Sequence, residues 1–300
     1  MNQKPEKEPW LLALDGSDDA FETVNYVSKI HSLKERQIVL FAVCNKIPDV
    51  YWDLEKEPVY NGKLGELRAW ETHRTKQLES YMAKARQILL NTGFPAGWVK
   101  IKLHERQKGI ARDIIVEAKE GYAALVVGRK GVSWVRDVLL GSVATKLLER
   151  ITTVPIVMVG RKARPGKILI AFDGSEGSFK AVECVGALMG GAGYEINLTN
   201  VIRHEEKERI AASERFVAAA FDQAVERLIS AGITRTRIST QIVTGAPSRA
   251  EAIVKEAEQG GYGTVVVGRR GLSDVRDFSM GAVSNKVVQL AARWAVWVVS

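Results

Sequence analysis

The stretch VVGRKGVSWVRDVLLGS at residues 126–142 recurs, with few changes, as VVGRRGLSDVRDFSMGA at residues 266–282. In both copies an apolar β-branched run leads into a loop whose three glycines stand at the same places. The last residue differs, because Ser142 in the first copy corresponds to Ala282 in the second. A motif that appears twice predicts a chain built from two similar units. The lost hydroxyl raises the question of whether both units keep the same function.

A second pair of matching segments lies upstream of the glycine motifs. WLLALDGSDDA at residues 10–20 is echoed by ILIAFDGSEGS at residues 168–178. The next apolar run keeps the same spacing, since Val43 and Val201 stand equally far behind these segments. The repeat therefore covers nearly the whole chain.

The two halves differ in length in one stretch. The surplus of the first half lies in residues 45–66, which are rich in Pro, Gly and acidic residues and are predicted to form a long loop. A short basic Pro/Gly stretch at residues 160–167 is a plausible linker. We therefore predict domains at residues 1–162 and 163–300.

Each half alternates short β-branched runs with longer helical patterns, which predicts βαβ units around a parallel sheet. Continuous Val, Ile and Leu runs are typical of strands that are buried on both faces. Helices are expected after Ser17, over roughly residues 66–91 and 110–120, and after Ser142. The predicted fold class is α/β, with two tandem doubly wound domains of five parallel strands each. Ligands of such sheets bind beyond the carboxyl ends of the strands.

The composition is typical of a soluble globular protein, with 46% hydrophobic and 26% charged residues. The formal net charge of +8 favours anionic partners, although it is also ordinary for a soluble surface. Cys44 and Cys184 show no disulfide or metal spacing, which favours a reducing cytoplasm. The N-terminus lacks the apolar core of a signal peptide, and no apolar run approaches the roughly 20 residues of a membrane helix. We expect a cytoplasmic protein that does not bind membranes.

The glycine loop has the features of a phosphate site. Gly128 ends the predicted fourth strand, and Gly141 and Ser142 open the next helix, whose free N–H groups and positive dipole end favour an anion. Arg129 and Lys130 add positive charge to the loop, and the Ser142 hydroxyl can cap the helix or donate to a phosphate. A glycine-rich turn that only connects strand and helix is the alternative. The patterns of a P-loop and of a dinucleotide fingerprint are absent.

At these residues the chain resembles the universal stress protein family, whose ATP-binding members carry G-x2-G-x9-G-[ST] after the fourth strand. Gly128, Gly131, Gly141 and Ser142 match that pattern fully, and ALDGS resembles the first strand of the family. The resemblance implies a Rossmann-like fold of the adenine nucleotide alpha hydrolase-like type. It also implies ATP, or ADP or AMP, as the ligand, with Mg²⁺ held through the phosphates.

The resemblance also implies a set of site residues in the first half. Asp15 would meet adenine or ribose, although a role as a helix cap or turn residue is the alternative, and Val43 is equally well explained as core. The implied contacts are Ala13, Leu14, Asp15, Val43, Val127, Gly128, Gly131, Gly141, Ser142 and Val143.

In the second half the resemblance implies a weaker site. Asp173, Val201, Gly268, Gly271 and Gly281 match, but Ala282 stands where the family has Ser or Thr. One hydrogen bond to a charged group is worth about 1.5–3 kcal/mol. We therefore expect nucleotide mainly in the first half.

Two further features are left with alternative interpretations. The VRD triplets at residues 135–137 and 275–277 place an arginine where it could reach a phosphate or form a surface ion pair with the next aspartate. In the family the last strand commonly pairs across a dimer, so the two halves would form a pseudo-dimer within one chain, and a further homodimer is open. Trp294 and Trp297 would bury that seam or pack a core.

No catalytic constellation is evident. His31, His73, His104 and His204 show no triad or metal-ligand spacing, and surface or structural roles are expected for them. We expect a nucleotide-binding stress regulator that acts through an unidentified protein partner, rather than an enzyme. A nucleotide-independent dimeric scaffold and a slow ATPase are the alternatives. No motif for nucleic-acid recognition is present.

Overall fold

A computed structural model describes residues 7–44, 61–129, 140–191, 193–203, 207–272 and 279–300. The first half contains β1 (Trp10–Ala13), α1 (Asp18–Ser28), β2 (Ile38–Cys44), α2 (Asn61–Asn91), β3 (Val99–Glu105), α3 (Ile110–Glu117), β4 (Ala124–Gly128), α4 (Ser142–Arg150) and β5 (Ile156–Val159). The second half contains β6 (Lys167–Ala171), α5 (Glu176–Met189), β7 (Glu195–Ile202), α6 (Lys207–Ser230), β8 (Ile238–Thr244), α7 (Arg249–Gln259), β9 (Thr264–Gly268), α8 (Ala282–Leu290) and β10 (Ala295–Val299).

The repeated Asp-Gly-Ser turns start the first helix of each half in the same way. Gly16 and Gly174 adopt φ values of 81° and 77°, which favour glycine. Ser17 then caps α1 by accepting a hydrogen bond from the Ala20 amide, and Ser175 caps α5 in the same manner. The capping side chains satisfy N–H groups that have no partner inside the helix.

The predicted α/β fold with five parallel strands in each half is confirmed. Within the described residues the strands form one sheet in the order β3-β2-β1-β4-β5-β10-β9-β6-β7-β8. Pairing is parallel inside each half, whereas β5 and β10 pair antiparallel, with Trp297 opposite Val157. The two halves thus share a continuous sheet, and their strand ends point in opposite directions.

The long second helix begins earlier than predicted. The backbone is helical from Asn61, so residues 61–66 of the predicted loop belong to α2, and the remaining part, residues 45–60, lies outside the described residues. Gly62 and Gly65 suggested a loop because glycine weakens helices. The helix is anchored further along by Met82 and Ala85, which are fully buried. Once such an anchored helix exists, each further turn costs little, since propagation is easier than nucleation.

Helices cover both faces of the sheet, and each face carries an apolar core that runs through both halves. Neighbouring residues of β1 show the alternation, because Trp10 and Leu12 join the core on one face and Leu11 joins the other. Helices α1, α2, α5 and α6 pack on the first face, and α3, α4, α7 and α8 pack on the second.

The seam between the halves is buried and partly polar. Trp297 is fully buried in β10 and lies edge-on to Trp10, with ring centroids 5.7 Å apart. Trp294 packs with partial burial against the core of the other face. Trp297 is therefore a seam residue as well as a core residue. In the part of the chain that the structure describes, no helix combines the length and the apolar character that crossing a bilayer requires.

Candidate functional site

The predicted site residues of the first half meet in one cleft of about 530 Å³, here called cleft one. It opens at the carboxyl ends of β1, β2 and β4 and at the start of α4. Gly131 lies outside the described residues, as do the VRD triplets. The other implied residues all line the cleft: Ala13, Leu14, Asp15, Val43, Val127, Gly128, Gly141, Ser142 and Val143.

The floor of cleft one is apolar. Leu14 directly follows β1, whereas Phe41 and Val127 lie on β2 and β4, and all three residues are buried and line the cavity. Val43 is partly buried, packs against the core and also lines the cleft. The core and ligand-contact interpretations of Val43 are therefore compatible. A flat apolar group would remove further nonpolar surface from water here.

The polar end of cleft one is the N-terminus of α4. Gly141 is the N-cap, and the first helical hydrogen bond runs from the Thr145 amide to the Gly141 carbonyl at 3.0 Å. The amides of Ser142 and Val143 precede that bond, so the helix supplies them with no acceptor. The Ser142 hydroxyl does not cap the helix and makes no hydrogen bond with the described residues. The helix start can therefore bind an anionic group.

Asp15 has a local role as well as a place in the cleft. Its Oδ1 accepts hydrogen bonds from the Ser17 amide at 3.1 Å and from the Ser17 hydroxyl at 2.6 Å. These bonds hold the turn that precedes α1, while Ser17 and not Asp15 is the cap. Asp15 is nevertheless exposed on the cleft wall.

Two walls of cleft one are formed by residues that the sequence analysis did not predict at the site. Trp70 and Arg74 come from α2, with the Arg74 guanidinium carbon 5.3 Å from the centre of the Trp70 ring. Ile110 and Ile114 come from α3 on the other face of the sheet. Helical periodicity marks such residues as surface or core, and it does not show that they flank a cavity.

Arg129 does not supply the phosphate-facing charge that its position suggested. The side chain is only 5% exposed, and its Nη2 donates to the Val288 carbonyl of α8 in the other half. Burial lowers the pKa of Arg129 to about 10. The guanidinium is drawn away from the cleft because the C-terminal end of α8 offers acceptors that lack helical partners.

The matching residues of the second half line a cleft of about 730 Å³, here called cleft two. Asp173 accepts from the Ser175 amide at 3.0 Å, and its Oδ2 lies 2.6 Å from where a Cβ on Gly271 would be. A side chain at position 271 would therefore displace the Asp173 carboxylate. Cleft two brings together Asp173, Val201, Gly268, Gly271 and Gly281 with Ala282.

Cleft two differs from cleft one in its polar groups. Ser284, two residues after Ala282, has a hydroxyl that donates to the Gly268 carbonyl at 2.7 Å, so it does not replace the lost group. Arg203, Arg249 and Arg270 line this cleft, and Arg249 begins α7 where Ile110 begins α3. Among the described residues, three arginines therefore line cleft two, whereas Arg74 and Arg129 line cleft one.

The remaining polar candidates have structural roles or none at the site. His104 stacks on Phe41 with ring centroids 5.8 Å apart, and His73 bonds with Gln77. Among the described residues no group of three His, Cys, Asp or Glu side chains could hold a metal ion. Cys44 lines cleft one, and burial together with the charges of nearby glutamates raises its thiol pKa.

Comparison with known proteins adds a family and a fold. The model of the universal stress protein family matches residues 9–160 and 165–300. A universal stress protein from Archaeoglobus fulgidus DSM 4304 is similar in structure over 98% of this chain and 99% of that chain, with a TM-score of 0.64 and 19% identity. A putative universal stress protein from Pseudomonas aeruginosa UCBPP-PA14 is similar over 98% and 94%, with a TM-score of 0.53 and 17% identity. These structural similarities support the fold alone. No curated protein matches the sequence.

Proposed function

Because this chain belongs to the universal stress protein family, we propose that its first half binds an adenine nucleotide, ATP in particular, in cleft one. Nucleotide occupancy then biases the conformation that a protein partner recognises in the cytoplasm during stress. The observation that carries the proposal is the start of α4. There an exposed Ser142 hydroxyl and two amides without helical acceptors face a cleft with an apolar floor.

The two ends of cleft one suit the two ends of a nucleotide. The apolar floor at Leu14, Phe41 and Val127 would take the base, and Asp15 at the end of β1 would meet the ribose. The amides of Ser142 and Val143 would hold phosphate oxygens at the positive end of the helix. Mg²⁺ would be held through the phosphates.

Cleft two is expected to bind the same ligand less well. Ala282 removes one donor, and Ser284 is already committed to the Gly268 carbonyl. The loss of a hydrogen bond to a charged group corresponds to roughly tenfold to a hundredfold in affinity. The two halves, joined through β5 and β10, would act as a pseudo-dimer with one well-formed site.

The proposal is tested by counting the nucleotide released when freshly purified protein is denatured. Ser142→Asp places a carboxylate at the start of α4, which stabilises the helix but repels phosphate. Ala282→Asp makes the same change in cleft two. We expect about one ATP or ADP per chain in the wild type and in Ala282→Asp, and none in Ser142→Asp. The unfolding temperature of Ser142→Asp should match that of the wild type from which the nucleotide has been removed.

A nucleotide-independent scaffold is the second candidate, because the Asp15 carboxylate already serves the turn before α1. This function would be favoured if the wild type neither carries nucleotide nor binds ATP in the presence of millimolar ATP and magnesium. If Ala282→Asp rather than Ser142→Asp removed the nucleotide, cleft two would be the working site.

A further inference from the structure

Two arginines that follow the glycine-ended strands reach across the seam. Arg129 comes directly after β4 and Arg269 directly after β9, and each is 5% exposed. Each guanidinium bonds a carbonyl in the last helix of the opposite half: Arg129 bonds Val288 of α8, and Arg269 bonds Leu148 of α4. Val288 and Leu148 are equivalent positions of the repeat. The exchange is therefore reciprocal.

Arg269 makes the more complete set of contacts. Its Nη1 donates to the Leu148 carbonyl at 2.6 Å, and its Nη2 donates to the Ile151 carbonyl at 2.5 Å. Its Nε donates to the Ser300 hydroxyl at 2.7 Å. The two carbonyls belong to the C-terminal end of α4, where helical acceptors lack intrahelical donors and a cation is favourable. A guanidinium with two parallel donors fixes direction as well as distance.

The helix held in this way begins at cleft one. Helix α4 has nine residues and is therefore only about 13 Å long. Its C-terminal end contacts Arg269, and its first residue is Ser142, which lines cleft one. In so short a helix, a displacement of the C-terminal end also displaces the first turn, which carries the Ser142 amide and hydroxyl.

The same residue also belongs to the loop of cleft two. The Arg269 carbonyl accepts a hydrogen bond from the Gly281 amide at 2.9 Å, and Gly281 is the N-cap of α8. The backbone of Arg269 thus supports the helix start at cleft two, while its side chain supports the helix of cleft one.

The reciprocal contact of Arg129 is incomplete. Its Nε and Nη1 are buried and have no hydrogen-bond partner in the described part of the chain. Gly160 stands at the end of β5 where Ser300 follows β10, so the hydroxyl that Arg269 uses is missing. A side chain does not fit there, because a Cβ on Gly160 would lie 2.4 Å from the Ala292 carbonyl oxygen. In the part of the chain that the structure describes, the C-terminal end of α8 therefore accepts one hydrogen bond from its arginine, whereas that of α4 accepts two.

We propose that Arg269, a residue of the second half, is a positioning residue for the ligand site of the first half. It holds the C-terminal end of α4 and thereby orients the anion-binding start of that helix in cleft one. The effect of Arg269 on ligand affinity rests on the proposed nucleotide function, whereas its effect on the orientation of α4 is independent of that function.

Amide hydrogen exchange in the ligand-free protein tests the orientation of α4. In Arg269→Met we expect the α4 amides from Thr145 onward to exchange about tenfold faster, with those of α8 unchanged. Arg269→Lys keeps the charge but loses the paired N–H donors of the guanidinium, so we expect a smaller acceleration of α4 exchange than in Arg269→Met. This variant carries the test if Arg269→Met does not fold. Tyr26→Phe, which removes seam hydrogen bonds without touching α4, is the matched control. Equal acceleration of α4 and α8, or none, would overturn the proposal.

Calorimetric titration with Mg·ATP tests the link to cleft one. We expect Arg269→Met to weaken binding about tenfold, while Tyr26→Phe leaves it unchanged. Because Arg269 acts through the helix that carries Ser142, adding Ser142→Ala should cost less in Arg269→Met than in the wild type, whereas Asp15→Ala should cost the same in both. Unchanged ATP affinity in Arg269→Met would overturn the link. A wild type that binds no ATP would overturn the nucleotide function instead, and the exchange data would still decide whether Arg269 positions α4.

Discussion

The indole Nε1 of Trp297 donates a hydrogen bond of 3.0 Å to the hydroxyl of Tyr26, although 271 residues separate the two in sequence. The Tyr26 oxygen lies 2.8 Å from the Thr264 hydroxyl, which itself donates to the Arg164 carbonyl at 2.8 Å. Tyr26 must therefore donate to Thr264. This buried chain of hydrogen bonds joins α1 of the first half to β9 and β10 of the second half and to the linker at residues 160–167.

Tyr26→Phe should lower the free energy of unfolding by about 1–3 kcal/mol, because the Trp297 N–H would be left buried without an acceptor. Urea denaturation of both proteins measures the loss. Thr264 keeps its bond to Arg164 in the variant, so Thr264→Val in the Tyr26→Phe background should add less than it does in the wild type. Equal stability of Tyr26→Phe and wild type would show that the Tyr26 hydrogen bonds do not stabilise the seam.

Exchanging the residues at positions 142 and 282 should redistribute ATP between the clefts. Ser142→Ala removes one donor at a helix start and is expected to weaken binding in cleft one by roughly tenfold to a hundredfold. Ala282→Ser adds one donor at the other helix start and is expected to strengthen ATP binding in cleft two. Calorimetric stoichiometry and affinity with Mg·ATP measure both effects. If Ser142→Ala binds as tightly as the wild type, the helix amides alone hold the ligand.

Gly160→Ala should destabilise the seam by about 1–3 kcal/mol, because overpacking displaces neighbouring backbone. The added Cβ would lie 2.4 Å from the Ala292 carbonyl oxygen and 2.7 Å from the Arg293 carbonyl carbon. Gly166→Ala is the matched control, since a Cβ there meets nothing within 4 Å. Thermal unfolding of the two variants should give a lower midpoint for the first and an unchanged or slightly higher midpoint for the second. The same midpoint for both would contradict the close approach at Gly160.

Acid should remove a stabilising contribution from Asp113, whose buried carboxylate accepts backbone hydrogen bonds from Gln107, Lys108 and Gly109. Burial raises the pKa of this group, but the hydrogen bonds from these amides outweigh burial, and the pKa lies below its usual value. A carboxyl with a lowered folded-state pKa stabilises the protein above its unfolded-state pKa of about 3.9, and this stabilisation is lost as the pH falls through the folded-state value.

Asp113→Asn removes that titration. The unfolding free energy of the variant should therefore fall less steeply below about pH 4 than that of the wild type, although the variant is the less stable of the two at neutral pH. Urea midpoints measured between neutral and acid pH give both slopes. Parallel slopes would assign the acid sensitivity to other carboxyl groups.

Much of the fold was readable from local pattern. The family membership and the two-unit α/β fold are confirmed. The fold could be predicted because Asp-Gly-Ser turns, capping serines and continuous Val/Ile runs depend on interactions between residues that are close in sequence. The site residues implied by the resemblance lie in two clefts, with the exception of Gly131, which is outside the described residues. Their role as ligand contacts stays a prediction, as do the domain boundaries at residues 162 and 163.

Other features depended on what the folded chain brings together. The start of α2 was placed too late, since a helix anchored in the core extends through glycines that disfavour it locally. Trp70 and Arg74 lie at cleft one because the folded chain places α2 beside the opening of the cleft. Helical spacing alone does not predict where α2 lies relative to the cleft.

The sequence by itself determined the repeat, the order of strands and helices in each half and the pair of helix starts at Gly141 and Gly281. These follow from short-range chemistry. Only the tertiary structure decided where the Arg129 and Arg269 side chains go. Both follow a glycine that ends a strand, and local reasoning placed the charge of Arg129 near phosphate. The joining of β5 to β10 instead brings helix C-terminal carbonyls within their reach, and a buried guanidinium is stable where such acceptors satisfy it.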